Sequence, residues 1–337
     1  MPQPRGVTIR DVAQLAGVSK SLVSLVLRGD PRVSEERRAA VLTAMAELDY
    51  RPNHAARSLS TARSGVVGIL IEDLRNPWFV DLLEGLTSTL RAAELTPVLT
   101  DATTVRAAGG DAVASLTALG VDGIVVVGST DEEEPLRAAA TTTPIVLAGT
   151  RRPHLPFADI AADNDTGGGR QATEHLIGLG HQRIAHLMGP GEVGQARLTG
   201  YREALVEAGL SDRELVVTSG ASEDGGYTAT RELLALADRP TAIFAYNDAA
   251  AIGALSAADD LGIAVPDELS VVGFDNTRLA RIRRISLTSV DNGNYAVGVR
   301  AGEFLADRIA SPQAQARQFE GPTSLVVRGT SGRVPHV

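Results

Sequence analysis

The sequence has no cysteine, a single lysine (Lys20) and a single tryptophan (Trp78) among its 337 residues. The absence of thiols excludes disulfide bonds, thiolate metal sites and cysteine nucleophiles. No run of 18 apolar residues is present, and the N-terminus lacks the charged-then-apolar pattern of an export signal. We therefore expect a soluble, cytoplasmic protein that does not enter a membrane.

Sequence motifs of enzymes are scarce. The Gly-x-Ser-x-Gly elbow of hydrolases is absent, and we expect no dinucleotide-binding glycine loop. One close histidine pair, His181 and His186, straddles the start of a predicted strand and makes a poor metal site. The glycine run at 167–169 is a weak phosphate-loop candidate, since no lysine follows it. We expect no catalysis, no metal and no cofactor.

Charge divides the chain into a basic head and an acidic body. Residues 1–63 carry ten basic and six acidic side chains, a balance of +4, whereas the remaining 274 residues carry 22 and 35, a balance of −13. A basic head attracts phosphate while an acidic body resists lying flat on a polyanion, as a nucleic-acid reader requires. A random fluctuation of surface charge is the alternative explanation.

The pattern of the head predicts three short helices. Thr8 can cap the first helix, Gly17 permits a tight turn, and Ser19 can cap the second helix. Ser34 can cap a third helix that extends to about Asp49. Two short helices joined at a glycine and braced by a third form a helix-turn-helix unit, whose second helix lies in the major groove of DNA.

The second helix has two chemically different faces. One face is apolar and is expected to pack inside the head: Val18, Leu22, Val23, Val26 and Leu27. The other face carries Lys20, Ser21, Ser24 and Arg28, which can donate hydrogen bonds to bases or phosphates. Leu25 also falls on this polar face, where it either contacts a thymine methyl group or packs inward.

From Gly65 onward, apolar strand candidates alternate with helices, which favours parallel sheets covered on both faces. At least eight strand–helix units are too many for one compact sheet, so we expect two lobes with a cleft at the carboxyl ends of the strands. The strand candidates are 66–71, 96–101, 123–128, 144–149, 183–189, 215–220, 242–248 and 269–275. The helix candidates include 79–93, 168–179, 195–207 and 249–261.

Three head segments carry a family resemblance: TIRDVAQLAGVSKSLVSLVL (8–27), VSEERRAAVLTAMAELDYRPN (33–53) and AARSLST (55–61). Together with the body, to about Gly329, they closely resemble the LacI/GalR family of bacterial transcription regulators. The resemblance implies an all-α helix-turn-helix domain at 1–50 and a hinge helix with its linker at 51–63. It also implies an α/β effector-binding and dimerisation domain at 64–337.

The body of this family is similar to periplasmic sugar-binding proteins, with two doubly wound parallel-sheet lobes. The resemblance implies chain crossings near Asp163, Asp291 and Gly321. An N-lobe would then comprise about 64–162 plus 292–321, and a C-lobe about 163–291 plus 322–337. Only nine residues follow Arg328, without heptads, so we expect no appended tetramerising helix and a homodimer instead.

The resemblance also assigns residues to operator DNA. Paired hinge helices of the family lie in the minor groove, where a leucine at the place of Leu59 wedges between base pairs and bends the DNA. At the place of Leu25 the family usually has an arginine directed at a base, so operator preference does not transfer to this chain. The implied DNA contacts are Thr8, Ser19, Lys20, Ser21, Ser24, Leu25, Arg28, Asn53, Ala56, Arg57 and Leu59.

Four stretches at predicted strand ends supply an effector site. Trp78 can stack on a sugar face or a base, or simply begin a helix. Arg197, in the first turn of a predicted helix, aligns with the effector-binding arginine of the family, with a surface salt bridge as the alternative. Asp275, Asn247 and Asp248 can accept hydrogen bonds from hydroxyl groups or cap helices. The implied effector contacts are Asp73, Trp78, Phe79, Asp163, Arg197, Asn247, Asp275 and Asn292.

The glycine run leaves one register open. The family commonly has Asp-Asn-x-x-Gly-x-Arg before this helix, whereas here an additional glycine stands within 167–169. Which acid of the segment 163–165 faces the cleft therefore stays open. Asn292 stands where the family usually has glutamine.

The sequence thus predicts a DNA-binding transcriptional regulator, a repressor in most of the family. Two chains would present two recognition helices to the half-sites of an operator in double-stranded DNA. A small-molecule effector in the cleft would control operator affinity. We expect a sugar or sugar derivative, with a nucleobase as the second candidate. The alternative is a solute receptor of the periplasmic-binding-protein type that does not bind DNA.

Overall fold

A computed structural model describes residues 7–27, 30–50, 63–72, 74 and 76–334. They belong to two compact units, a head that ends at Gly65 and a body that begins at Val66. Several residues that the sequence assigned to DNA or effector lie outside the described residues: Arg28, Asn53, Ala56, Arg57, Leu59 and Asp73.

The described part of the head contains helices α1 (Ile9–Leu15), α2 (Lys20–Leu27) and α3 (Glu35–Glu47). The backbone N–H of Thr8 donates to the carboxylate of Asp11 at 2.7 Å, which fixes the start of α1. Gly17 has a φ of 66° in the turn, and the hydroxyl of Ser19 accepts from the N–H of Leu22 at 3.1 Å. The predicted helix-turn-helix arrangement is confirmed.

Leu25 packs inward, which is the alternative left open by the sequence. It is half-buried against the core of the head, which consists of Val12, Ala13, Val23, Val26, Val33, Val41 and Ala44. Because α2 packs against both α1 and α3, its buried stripe is wide enough to include Leu25. Leu22, expected in the core, is half-buried outside this cluster. Ser34 precedes α3 without the predicted side-chain capping bond.

The body contains two six-stranded sheets. The strands of the first sheet are β1 (Val66–Ile71), β2 (Thr96–Asp101), β3 (Ile124–Val127), β4 (Ile145–Ala148), β5 (Asp159–Asp163) and β11 (Gln318–Gly321). The strands of the second sheet are β6 (Ile184–Met188), β7 (Leu215–Thr218), β8 (Ala242–Ala245), β9 (Ser270–Phe274), β10 (Thr288–Asp291) and β12 (Ser324–Val326). We call the unit built on the first sheet the N-lobe and the other the C-lobe.

The two sheets repeat one topology. The strand order is β11-β5-β4-β3-β1-β2 in the N-lobe and β12-β10-β9-β8-β6-β7 in the C-lobe. Every described strand pair is parallel except β10 with β12, which is antiparallel. The prediction of two doubly wound parallel sheets is therefore confirmed, with one antiparallel edge strand added.

Helices cover the faces of both sheets. The helices of the N-lobe are α4 (Phe79–Ala92), α5 (Ala102–Ala107), α6 (Ala112–Ala118), α7 (Glu133–Ala139) and α12 (Asn294–Ala310). The helices of the C-lobe are α8 (Asp165–Gly178), α9 (Gly191–Glu207), α10 (Glu223–Leu234) and α11 (Asp248–Asp260), with a 3₁₀ turn at Ser211–Arg213. No helix within the described ranges is long and apolar enough to span a bilayer.

The chain passes between the lobes at three places. It leaves the N-lobe after β5, returns between β10 and α12, and leaves again between β11 and β12. These crossings lie side by side at one end of the cleft, because β5 pairs with β11 and β10 pairs with β12. Two lobes joined by three adjacent crossings can open and close about them as a hinge.

Three pairs of helices touch backbone to backbone at glycines. A Cβ atom at Gly169 of α8 would collide with the carbonyl oxygen of Arg197 in α9, and one at Gly200 would collide with that of Thr166. The pairs α10–α11 and α4–α12 meet in the same way. The glycine run is explained by such packing, since a Cβ at Gly168 would collide with the ring of Phe274. It serves close packing rather than phosphate binding.

We expect Gly169→Ala to lower the free energy of unfolding of the body by about 1–3 kcal/mol, because the added methyl group meets backbone atoms that cannot move aside. Gly178→Ala is a matched control in the same helix, where a Cβ meets nothing within 4 Å. This control should leave stability unchanged or raise it by up to about 1 kcal/mol. Urea denaturation followed by circular dichroism measures both, and equal effects of the two substitutions would contradict the packing argument.

Candidate functional site

A cleft of about 880 Å³ lies between the two lobes of the body. It opens at the carboxyl ends of parallel strands, where sheets of this topology bind ligands. The N-lobe contributes Glu72, Asn76, Trp78, Phe79, Thr130, Asp131 and Asp163, among others. The C-lobe contributes Gly191, Val193, Arg197, Glu223, Tyr246, Asn247 and Asp275, among others.

Arg197 is the buried cation of the cleft, with only 4% of its surface exposed. Its Nε donates to Asp165 Oδ1 at 2.9 Å, its Nη1 donates to the carbonyl of Tyr246 at 2.6 Å, and its Nη2 lies 3.5 Å from Asp275 Oδ1. Its guanidinium also stacks on Phe274, 3.6 Å from the ring centroid. The surface salt bridge considered as an alternative is wrong, because these ion pairs are buried.

The position of Arg197 in its helix also differs from the prediction. Helix α9 begins at Gly191, which follows Pro190, rather than at Gln195. Arg197 therefore lies in the second turn, not the first. Residues 191–194 show no helical spacing of apolar residues, so the sequence pattern does not predict that the helix begins this early.

Three buried carboxylates surround this single guanidinium: Asp163, Asp165 and Asp275. Burial and the charge of Asp165 raise the pKa of Asp163 to about 7, although Arg197 opposes the shift. Burial also raises the pKa of Asp275 well above its ordinary value. The cleft therefore holds more buried acid than its own cation can neutralise.

The two candidate acids of the 163–165 segment take different places. Asp163 ends β5 and lines the cleft, and its Oδ2 has no hydrogen-bond partner among the described residues. Asp165 begins α8 and directs its carboxylate to Arg197. Asp163 is thus the acid that faces the cleft.

Asn292 and Asp248 support the site from behind and do not line the cleft. Asn292 is fully buried, and its Nδ2 donates to Asp275 Oδ1 at 3.2 Å, so it positions this acid. The carboxylate of Asp248 accepts hydrogen bonds from Thr277 and Ser289 at 2.6–2.8 Å. A ligand contact at Asn292 stays a prediction, whereas the helix cap expected at Asp248 is wrong, because Asn247 caps this helix.

Asn247 lines the cleft, but the protein itself uses both ends of its amide. Its Oδ1 accepts from the N–H of Ala250 at 2.9 Å and caps α11, while its Nδ2 donates to the carbonyl of Ala221 at 3.0 Å. Of the neighbours Asn247 and Asp248, which follow β8, Asn247 is the cap. Each end of its amide keeps one further hydrogen-bonding position, so a ligand contact there stays a prediction.

Trp78 stands before a helix and also lines the cleft, so its stacking on a ligand stays a prediction. It precedes α4 and lines the cleft with its indole ring, which meets the ring of Phe79 edge to face at 5.0 Å. Gly149, with a φ of 67°, makes room for the indole, since a Cβ there would collide with it. The indole Nε1 is buried without a hydrogen-bond partner in the described part of the chain.

The stretch Gly189–Gly194 does have the Gly-x-Gly-x-x-Gly spacing of a dinucleotide turn, contrary to our expectation. It follows β6 and opens α9. Its first and last glycines have packing roles: a Cβ at Gly189 would collide with Tyr246, and one at Gly194 with the carbonyl of Gly189. In dinucleotide-binding folds, an acidic residue at the end of the next strand binds the ribose. In this chain the next strand is β7, and Ser219 follows it instead of an acid.

The two histidines considered as metal ligands have structural partners instead. The Nδ1 atom of His181 shares a hydrogen bond with the hydroxyl of Thr241 at 2.9 Å. The Nδ1 atom of His186 donates to the carbonyl oxygen of Phe244 at 3.0 Å. Burial lowers the pKa of His186 to about 4, so it is neutral at pH 7. No cluster of three or more potential metal ligands occurs within the described ranges.

The head presents a polar surface at the start of α2. Ser19, Lys20 and Ser21 are exposed, and Ser24 is half-buried one turn further on. Thr8 is exposed at the start of α1. Because buried valines hold the opposite face of α2, these side chains point away from the core, as in a helix that enters a groove of DNA.

Comparisons with known proteins cover both parts of the chain. Residues 8–53 match the family described as bacterial regulatory proteins, lacI family, and residues 173–331 match a periplasmic binding protein-like domain. The HTH-type transcriptional repressor PurR of Pectobacterium carotovorum is 34% identical over 335 residues, which cover 98% of each chain. A match to both head and body excludes a solute receptor without a DNA-binding head.

Solved structures agree with these relatives. The lac repressor dimer bound to operator and the anti-inducer ONPF has a TM-score of 0.84 at 28% identity, covering 97% of this chain and 100% of that one. The complex of the transcriptional regulator CelR with cellobiose has a TM-score of 0.70 at 30% identity, covering 96% and 99%. The chain therefore belongs to the LacI family of bacterial regulatory proteins and is a DNA-binding repressor with an effector-binding body.

Proposed function

We propose that this repressor binds a near-palindromic operator as a homodimer and that a sugar or sugar derivative in the cleft controls its affinity for the operator. The observation that carries the effector part is a cleft whose polar groups come from both lobes, with Asp163 on one side and Asp275 on the other. A ligand that contacts both lobes favours the closed arrangement over the open one. We further propose that the repressor acts in the cytoplasm, where the operator is.

The chemistry of the lining supports a sugar. Carboxylate oxygens at the ends of β5 and β9 accept hydrogen bonds from neighbouring hydroxyl groups, and an indole face stacks on the apolar face of a pyranose. The similar regulator CelR forms a complex with cellobiose. A nucleobase is the second candidate, because it also offers N–H donors and a flat face to Trp78.

Ion pairs between the C-lobe and the N-lobe connect the closing of the cleft to helix α4. Arg278, which follows β9 in the C-lobe, donates to Asp81 at 3.2 Å and to Glu84 at 2.8 Å in α4 of the N-lobe. Helix α4 begins at the cleft with Phe79, so a ligand there acts on the element that carries these acids. A coupling of about 1–3 kcal/mol between effector and operator suffices to change operator affinity by roughly 5–150-fold.

The dimer is supported by exposed apolar residues beside this contact. Val80 and Ile282 are 45% and 46% exposed, and each is adjacent in sequence to a residue of the ion pair between Asp81 and Arg281. We propose that these two side chains belong to the dimer surface. The similar lac repressor binds its operator as a dimer. A two-fold axis would present one α2 helix to each half-site.

We expect Lys20→Ala to weaken operator binding and to reduce its salt dependence. Each phosphate contact contributes about 0.9 to the slope of log affinity against log salt, so a dimer should lose about 2 from this slope. Fluorescence anisotropy with an operator selected from a random duplex pool measures the slope. Arg91→Ala, which removes an exposed charge from α4, should leave the slope unchanged. An unchanged slope for Lys20→Ala would mean that Lys20 contacts no phosphate.

We expect Asp275→Asn to weaken effector binding at least tenfold, because a hydrogen bond to a charged group contributes about 1.5–3 kcal/mol. Asparagine tolerates the φ of 100° at this position, so the shape of the site is kept. Calorimetry with the sugar that gives the largest thermal shift measures the loss, with the exposed Asp267→Asn as control. Operator affinity without ligand should stay within about twofold. Undiminished calorimetric affinity would exclude Asp275 from the site.

We expect Asp163→Asn to stabilise the ligand-free protein at pH 8, by on the order of 2 kcal/mol. The folded chain holds the pKa of Asp163 at about 7, above its ordinary value of 3.8, so stability is lost as the pH rises from about 4 through 7. The nearby Asp165, Asp275, Arg197 and Asn292 stay in place. Melting temperatures at pH 5 and pH 8 test this, and the gain should be small at pH 5. A gain that does not depend on pH, or one shared by Asp267→Asn, would contradict it.

A further inference from the structure

The charge of the cleft is one-sided. Its described lining contains five acidic side chains and one basic side chain: Glu72, Asp131, Asp163, Glu223 and Asp275 against Arg197. The single guanidinium is already shared between Asp165 and Asp275. Glu72 pairs with Arg106, which is not part of the lining, whereas Asp131, Asp163 and Glu223 form no ion pair among the described residues. A ligand that brings further negative charge would therefore face these three carboxylates without a neutralising partner.

The unpaired buried atoms of the lining are mostly acceptors. Asp163 Oδ2 and Glu72 Oε2 have no hydrogen-bond partner among the described residues, and Trp78 Nε1 is the corresponding unpaired donor. Asp163 is 2% exposed, so its free oxygen is the most strongly desolvated of these groups. Leaving such an atom unpaired costs about 1–3 kcal/mol, which a bound donor removes.

Chemistry then distinguishes the possible ligand groups. An ionised phosphate oxygen carries negative charge and only accepts hydrogen bonds, so it cannot satisfy the ionised carboxylate of Asp163. A hydroxyl donates one hydrogen bond and brings no charge. An ammonium group donates up to three and brings the positive charge that the lining lacks.

We propose that the effector of this cleft is an amine-bearing polyol, such as an amino sugar, whose ammonium group binds Asp163. The inference rests on the proposed function, since it names the chemical class of the effector for that same site. The ring of such a ligand packs against Trp78, and its hydroxyl groups donate to Asp275. Phosphorylated sugars and other anionic ligands are excluded by the same carboxylates.

Matched series of ligands test this with the full-length protein at pH 6.5. Each series contains a hexose, its 2-amino derivative and its 6-phosphate, in the gluco, galacto and manno configurations. Thermal shift identifies the responsive series, and calorimetry compares its members. We expect the amino sugar to bind at least tenfold more tightly than the parent hexose, and the phosphate not to bind.

The substitution Asp163→Asn keeps the size of the side chain and removes its charge. It should bring the affinities of amino sugar and parent hexose to within about threefold of each other, while the exposed Asp267→Asn retains the full preference. A parent hexose that binds wild-type protein as tightly as its amino derivative overturns the amine assignment and leaves a sugar effector standing. A protein that binds operator but responds to no member of any series contradicts both.

Discussion

The body depends on one buried guanidinium held among three carboxylates. Arg197 pairs with Asp165 and Asp275, and Asp163 shares its field without a hydrogen bond to it. A cation with 4% exposure persists only because partners and an aromatic face replace its water. The surplus of acid leaves the cleft short of positive charge and of hydrogen-bond donors. The shortage of positive charge and of hydrogen-bond donors therefore restricts which ligands can bind, as the shape of the cleft also does.

Close glycine contacts hold that guanidinium in place. Helices α8 and α9 approach so closely at Gly169 that the backbone of Arg197 takes the space of a side chain, and Asp165 begins the same α8. The ion pair is thus set by two helices whose mutual distance cannot increase without losing the contact. For this reason, the packing of α8 against α9 and the position of the charged groups in the cleft cannot change independently. It also explains why an additional glycine in 167–169 serves the site without contacting a ligand.

Much of the fold could be predicted from the sequence, because long apolar strands and capped helices leave local signals. The strands β5, β10, β11 and β12 could not, since they are short, contain polar residues and are defined by long-range pairing at the crossings. In the site, residue types at strand ends pointed to Trp78 and Asp275, whereas the family resemblance supplied Arg197 and left open which acid of 163–165 faces the cleft. The structure brings Trp78, Asp163, Arg197 and Asp275 together in one cleft. The backing role of Asn292 depends on its contact with Asp275 in another segment, which no local pattern encodes. The cap at Asn247 is a local contact with Ala250 and was among the alternatives that the sequence offered. The Gly189–Gly194 turn was visible as a pattern but has a packing role.

The relation between stability and function follows from the same acids. Carboxylates whose pKa is raised by burial oppose folding at neutral pH, and the chain keeps Asp163 in this state at the cleft. By contrast, the buried Asp159 is bonded to Arg308 and Arg317, and these partners lower its pKa despite its burial. The two aspartates stand at opposite ends of β5, so one strand carries both a satisfied and an unsatisfied acid. Since Arg308 and Arg317 satisfy the distant acid within the N-lobe, the acid left unsatisfied is the one beside the crossing between the lobes. A hydrogen-bond donor that binds there acts beside the crossing about which the two lobes can open and close.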